Sequence, residues 1–230
     1  MSSLRPVALV AFVVLLSRPT LDAQDLTRYR DFELGSSVSS VVTVSGATAR
    51  DVSVVHRRPV MIQELVWRPP YVMRSSGVVA DPVREVAFGF YDDRLFRIVI
   101  SYDRDRTEGL TNEDLIEAVS ATYGTPLLPG ARRAGPASRS GDDTESIIVA
   151  QWEDSHQRLT LFRGTYPRLF RLELISKNLN DLAHAAAIEA TRLDNREAPA
   201  REAERLKAQI ADARAAEEKA RLANKAAFRP

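Results

Sequence analysis

Apolar and polar positions alternate along this chain in three distinct regimes, and each predicts a different kind of element. The first regime is a run of apolar residues from Val7 to Leu16 that follows Met1-Ser2-Ser3-Leu4-Arg5-Pro6. The second, from about Asp25 to Lys177, mixes short helical and strand periodicities. The third, from Asn178 onward, is dominated by Ala, Glu, Arg and Lys.

In the middle regime, Val38, Val41 and Val42 share one helical face behind Ser36 and Ser37. Either serine can cap the orphan amides of a first turn, and Gly46 is suited to the left-handed stop, so a helix over Ser37–Ser45 is predicted. Asp25 to Asp31 reads as a polar lead-in. Met61 to Arg68 alternates as a strand and ends at Pro69-Pro70. A loop rich in Ser, Gly and Val follows, up to Asp81-Pro82.

Val83 to Ile100 predicts a hairpin. Val86, Phe88 and Phe90 alternate with Glu85, Ala87 and Gly89; after Tyr91-Asp92-Asp93-Arg94, Phe96, Ile98 and Ile100 take one face and Leu95, Arg97, Val99 and Ser101 the other. Thr111 with Asp114 three residues on opens a helix with Leu115, Val119 and Thr122 on one face and Ile116 and Tyr123 beside it. Gly124 and Pro126 close it. Leu127 to Asp143 has no burial pattern and is expected to be a long, mobile loop. Ser146–Glu153, Arg158–Arg163 and Arg168–Ser176 then read as strands, the last with Phe170, Leu172 and Leu174 on one face and Leu169, Arg171, Glu173 and Ile175 on the other.

The order helix, strand ending in Trp, strand, strand occurs twice, from about 32 to 102 and from about 109 to 177. Arg94-Leu95-Phe96-Arg97-Ile98 matches Arg168-Leu169-Phe170-Arg171-Leu172, and Trp67 and Trp152 occupy corresponding places. Near-identity at equivalent positions favours an internal duplication over chance likeness between two amphipathic strands. The expected fold is therefore α+β: tandem helix-plus-three-strand repeats, six strands in one antiparallel sheet, with both helices on one face. Phe88, Phe96, Ile98, Phe170 and Leu172 are expected in the core, and Arg97, Arg171 and Glu173 on an opposite, solvated face.

This arrangement resembles the β-lactamase-inhibitor-protein-like fold and the related small outer-membrane assembly lipoproteins of the SmpA/OmlA type. Phe32-Glu33-Leu34-Gly35-Ser36-Ser37-Val38 and Leu110-Thr111-Asn112-Glu113-Asp114-Leu115 are similar to the helix entries of those domains, and Tyr123-Gly124-Thr125-Pro126 to their helix exit. The likeness covers roughly 32–176. It implies the fold and carries no binding residues, because the chain lacks both a lipidation cysteine and the inhibitor's disulfides, and its tail belongs to neither pattern.

Arg5, an apolar run of about ten residues and a small residue at Ala23 form the order expected of a secretory signal. Such a run is too short for a bilayer core of ~30 Å. Cleavage after Ala23 is expected, with an uncleaved anchor and a buried N-terminal element as the alternatives. In the tail, Asp181–Leu193 predicts a helix docked through Leu182, Ile188 and Leu193. Pro199 is placed at the start of a second helix, along which Ala203, Leu206, Ile210 and Ala213 hold a 3–4 spacing. Roughly two poor heptads leave a dimeric coil and a solvated single helix both open.

Net charge is +1 over 230 residues, which offers no concentrated basic surface for nucleic acid. With no cysteine, disulfides, thiolate metal sites and thiol nucleophiles are excluded. His56, His156 and His184 stand far apart, without a metal-ligand spacing. Asp103, Asp105 and Glu108, interleaved with Arg104 and Arg106, read as a solvated turn, as do Asp142, Asp143 and Glu145. No phosphate loop or nucleophile elbow is present.

No catalytic, cofactor or metal residue is therefore nominated. The domains expected are a signal peptide at 1–23, a duplicated α+β domain at 24–177 and a charged helical tail at 178–230. The expected protein is periplasmic or secreted and a non-catalytic protein-binding module, with another envelope or secreted protein as partner and no stable membrane span once the signal is removed. Its polar sheet face, or the loops at 75–80 and 127–143, would meet that partner. The alternatives are an envelope assembly factor that forms homo-oligomers through its tail, and an enzyme of unfamiliar type.

Overall fold

The computed structural model describes residues 25–69, 81–127, 132–133, 146–165, 169–227 and 229. The expected export signal, the 75–80 loop, Asp142, Asp143 and Glu145 lie outside them. The fold is mixed α+β, with an antiparallel sheet, helices and a long C-terminal helix. No helix among the described residues is long and apolar enough to cross a membrane.

The chain begins with a two-residue ladder, β1 (Arg28–Tyr29) with β2 (Phe32–Glu33). This corrects the lead-in expected at 25–31: Leu26, Tyr29 and Phe32 are buried in the main core. A polar average hid three well-spaced apolar anchors. Arg30, at φ 53°, closes the turn and reaches Asp81 with two hydrogen bonds of 2.7 and 2.9 Å.

Helix α1 (Val38–Ser45) forms as expected. Ser37 accepts from Ser40 N, Asp93 accepts from Val38 N, and Gly46 stops the helix at φ 70°. After a 3₁₀ turn (Ala49–Asp51) come β3 (Val52–His56), β4 (Ile62–Trp67), β5 (Val83–Tyr91) and β6 (Arg94–Tyr102). The β5–β6 turn is Asp92-Asp93, both at positive φ, the two-residue geometry that matches strand twist. Asp103 caps a single-turn helix, α2 (Arg104–Thr107), accepting from Asp105 N and Arg106 N. That carboxylate thus serves the backbone.

Helix α3 (Asn112–Tyr123) carries the expected capping box between Thr111 and Asp114. Its buried stripe is Leu115, Val119 and Tyr123, while Thr122 is exposed: the core takes the i, i+4, i+8 row. Then come β7 (Arg132–Arg133), β8 (Ser146–Glu153), β9 (Gln157–Gly164) and β10 (Phe170–Ser176).

Among the described residues eight strands form one sheet, in the order β3-β4-β5-β6-β10-β9-β8-β7. Six were expected. β3 and β7, which lie at the two ends of the order, are short, and neither has an alternation long enough to read. Helices α1 and α3 are each followed by four described strands; Trp67 is the last residue of the second strand in the first set, and Trp152 the last but one in the second. The two sets meet where β6 pairs with β10. Ile98 faces Leu174 and Ile100 faces Leu172, symmetrically about the pair Val99–Glu173.

Helices α1 and α3 lie against the first face. Phe88, Phe90, Ile98, Ile100, Leu161, Phe170, Leu172, Leu174 and fully buried Trp152 are among the residues packed there. Trp152 Nε1 donates to Gly124 O at 2.8 Å, fastening the end of α3 to the sheet. Phe96 is not part of this core. Gly89 pairs with Arg97 but Phe90 pairs with Leu95, so Phe96 is the extra residue of a bulge. Leu95 thereby takes the core side and Phe96 joins Arg97 on the second face.

Candidate functional site

The second face was expected to be open to solvent. Its centre is instead covered by α4 (Lys177–Ala227), a single 51-residue helix that starts directly after β10 and runs through Pro199 without interruption. The predicted break at Pro199 is thus absent, and the helix begins at Lys177, one residue before the expected start of the tail. Docking uses Ala183, Ala186 and Ala190, which are buried. Leu182 and Ile188, expected to dock, are exposed. Small side chains win because the sheet beneath already supplies the bulk, through Phe96, Phe162 and Ile175.

Both ends of the docked segment are held by charge. At its start, Lys177 Nζ lies 2.5 Å from Glu153 Oε1 and donates to Asp154 O, while Lys177 N donates to His156 O. Glu153 also accepts from Gln151 at 2.5 Å. The Lys177 ammonium, with Arg158 further off, holds the Glu153 carboxyl below its ordinary value. At the far end, Arg58 in the β3–β4 loop donates to Glu197 and lies 3.7 Å from Asp194.

Beside α4 opens a cleft of about 450 Å³. Strand register lays out its floor, since residues directly opposite share a face. One row reads Gly89, Arg97, Ile175, Arg158, Glu153 across β5, β6, β10, β9 and β8. The next reads Val99, Glu173, Thr160, Gln151, and a third Ser101, Arg171, Phe162, Ile148. Phe96 lies over Gly89: a Cβ on that glycine would sit 3.2 Å from the phenyl ring, tighter than an ordinary contact. The helix contributes Asn180, Asp181, Ala183, His184 and Ala187 as a wall, and His56 closes the β3 side.

Arg97 Nε donates to Glu173 Oε1 at 2.6 Å, and both side chains are largely buried. Arg171 stacks over the Phe162 ring at 4.9 Å. Thus His56 and His184 line the same cleft, while His156 sits in the β8–β9 turn. Among the described residues no hydrogen bond joins either lining imidazole to a carboxylate, Glu173 is committed to Arg97, and no serine or tyrosine lines the cleft. The arrangement offers cationic donors and an apolar floor to a bound group. No group of three or more potential metal ligands occurs among the described residues.

Sequence reasoning placed Arg97, Arg171 and Glu173 on this face through strand alternation. It missed Arg158, Thr160 and the α4 wall, because strand neighbours and helix docking are non-local. No family model matches the chain, and neither a curated protein nor a solved structure does.

Proposed function

We propose that this protein is an exported, non-catalytic protein-binding module, built from a duplicated α+β unit of the β-lactamase-inhibitor-protein-like kind, that meets its partner through the free half of α4. One observation carries this reading. Every residue from Ala198 to Lys225 is exposed, including Leu206, Ile210 and Leu222. At 1.5 Å per residue this half extends roughly 40 Å from the domain. A helix of that length gains nothing from the fold that carries it, so its apolar positions fit a role in contact with another chain. The roofed sheet face leaves less room for the flat polar contact that the pattern alone suggested.

A second reading, an envelope assembly factor that self-associates, draws on the same helix, because Ala203, Leu206, Ile210 and Ala213 lie along one seam. Solution mass by light scattering, measured for the full chain and for one ending at Ala198, separates the two. A full-length dimer that becomes a monomer on truncation supports self-assembly. A monomer in both cases, with an envelope protein bound by purified full chain and not by the truncated one, supports the module. A monomer whose partner is retained after truncation removes the free helix from the proposal.

A further inference from the structure

Two guanidinium groups in the cleft are incompletely used. Arg97 and Arg158 lie in one row with Ile175 between them, two inter-strand spacings apart, about 10 Å between Cα atoms. Arg97 binds Glu173 through Nε, and neither of its terminal nitrogens makes a hydrogen bond to a described residue. Arg158 makes no hydrogen bond to a described residue, and its Nε is buried. The nearest carboxylate, Glu153 at 3.4 Å, is already held by Lys177 and Gln151. A buried donor such as the Arg158 Nε calls for an acceptor, and a guanidinium fork suits a carboxylate, sulfonate or phosphate oxygen.

The surroundings narrow the ligand further. Phe96, Ile175, Phe162 and Ile148 give the floor an apolar character, and Ala183 and Ala187 leave room beneath the helix. The volume is that of a small-molecule site. Two lining carboxylates, Glu173 and the exposed Asp181, balance the two arginines, which disfavours a ligand of high negative charge. We propose that the cleft binds an amphipathic organic monoanion, its acidic group on the free nitrogens of Arg97 and Arg158 and its apolar body over Ile175 and Phe96, under the edge of α4.

The test is fluorescence titration of the full chain with two probes of similar apolar body. One is 8-anilinonaphthalene-1-sulfonate, and the other is N-phenyl-1-naphthylamine, which lacks the sulfonate. Saturable one-site binding of the sulfonate is expected. Arg158→Gln should weaken it about tenfold or more, as expected for loss of a charge-assisted contact, while leaving the neutral probe unaffected. Ala187→Trp, which fills the cleft, should abolish both. Arg50→Gln removes the same charge at an exposed position outside the cleft and should change neither. Sulfonate binding that is non-saturable, or that is equal in wild type and Arg158→Gln at unchanged helical circular dichroism, would overturn the proposal. If Ala187→Trp proves unfolded, the contrast between the two probes in Arg158→Gln still decides.

Discussion

The two faces of the sheet are built from the same strands and are packed in opposite ways. On the first, α1, α3 and the N-terminal ladder interlock with Phe88, Phe90, Trp152, Leu161 and Leu172, all within 1 % of full burial. On the second, one helix rests its alanines on Phe96, Phe162 and Ile175, holds its ends by ion pairs, and leaves a cleft. Large side chains meshing from both sides fill space completely. Small side chains laid over aromatic ones leave gaps at their flanks. The first face accordingly carries most of the cohesion, and the second leaves a cleft lined by Arg97 and Arg158.

The largest expected effect is on the first face. Trp152→Ala should cost about 3–5 kcal/mol, since it opens a cavity and removes the bond to Gly124 O; denaturant unfolding measures it, and a loss below about 1 kcal/mol would mean that face is not the principal core. Next comes removal of the helix. A chain ending at Ser176 re-exposes Phe96, Phe162 and Ile175 and should lose roughly 3 kcal/mol or more. A chain ending at Ala198 keeps the docked segment and should unfold within about 0.5 kcal/mol of full length. Equal stabilities for the two truncations would show that α4 docks without consequence.

Gly89→Ala should cost about 1–3 kcal/mol by pressing on the Phe96 ring. The double change with Phe96→Leu should recover part of that loss, and no recovery would place the strain elsewhere.

The smallest effect concerns pH. Glu153 has a folded value below its ordinary 4.5, so its contribution is complete above that pH and is lost as pH falls through the folded value. Amide exchange over 177–190 should therefore accelerate below pH 4.5 ahead of the strands, and Glu153→Gln should remove the difference. Exchange that rises in helix and strands together would assign the acid sensitivity to the core.

Legibility in the sequence followed the range of the interactions. Ser37, Gly46, Thr111 and Asp114 act on backbone within four residues, so both helices on the first face could be read directly. Strand alternation likewise placed Arg97 and Glu173 on one side. The cleft could not be read, because Arg158 reaches it through pairing with Ile175 and His184 reaches it through docking of α4, and neither relation leaves a local pattern. The missed strands β3 and β7 are short and terminal in the sheet order, and pairing with a neighbour defines them more than their own composition does.

By itself, then, the chain determined its α+β character, the caps of α1 and α3, the β5–β6 hairpin and the helical, polar character of its tail, each a matter of propensity and periodicity. Tertiary structure alone decided that Phe96 leaves the core, that Leu26 and Tyr29 enter it, that β6 and β10 meet at the centre, and that alanines rather than leucines seat α4. Those outcomes depend on which surfaces compete for the same space. A bulge, a register or a docking face is settled by the sum of contacts across the molecule, and no single segment encodes that sum.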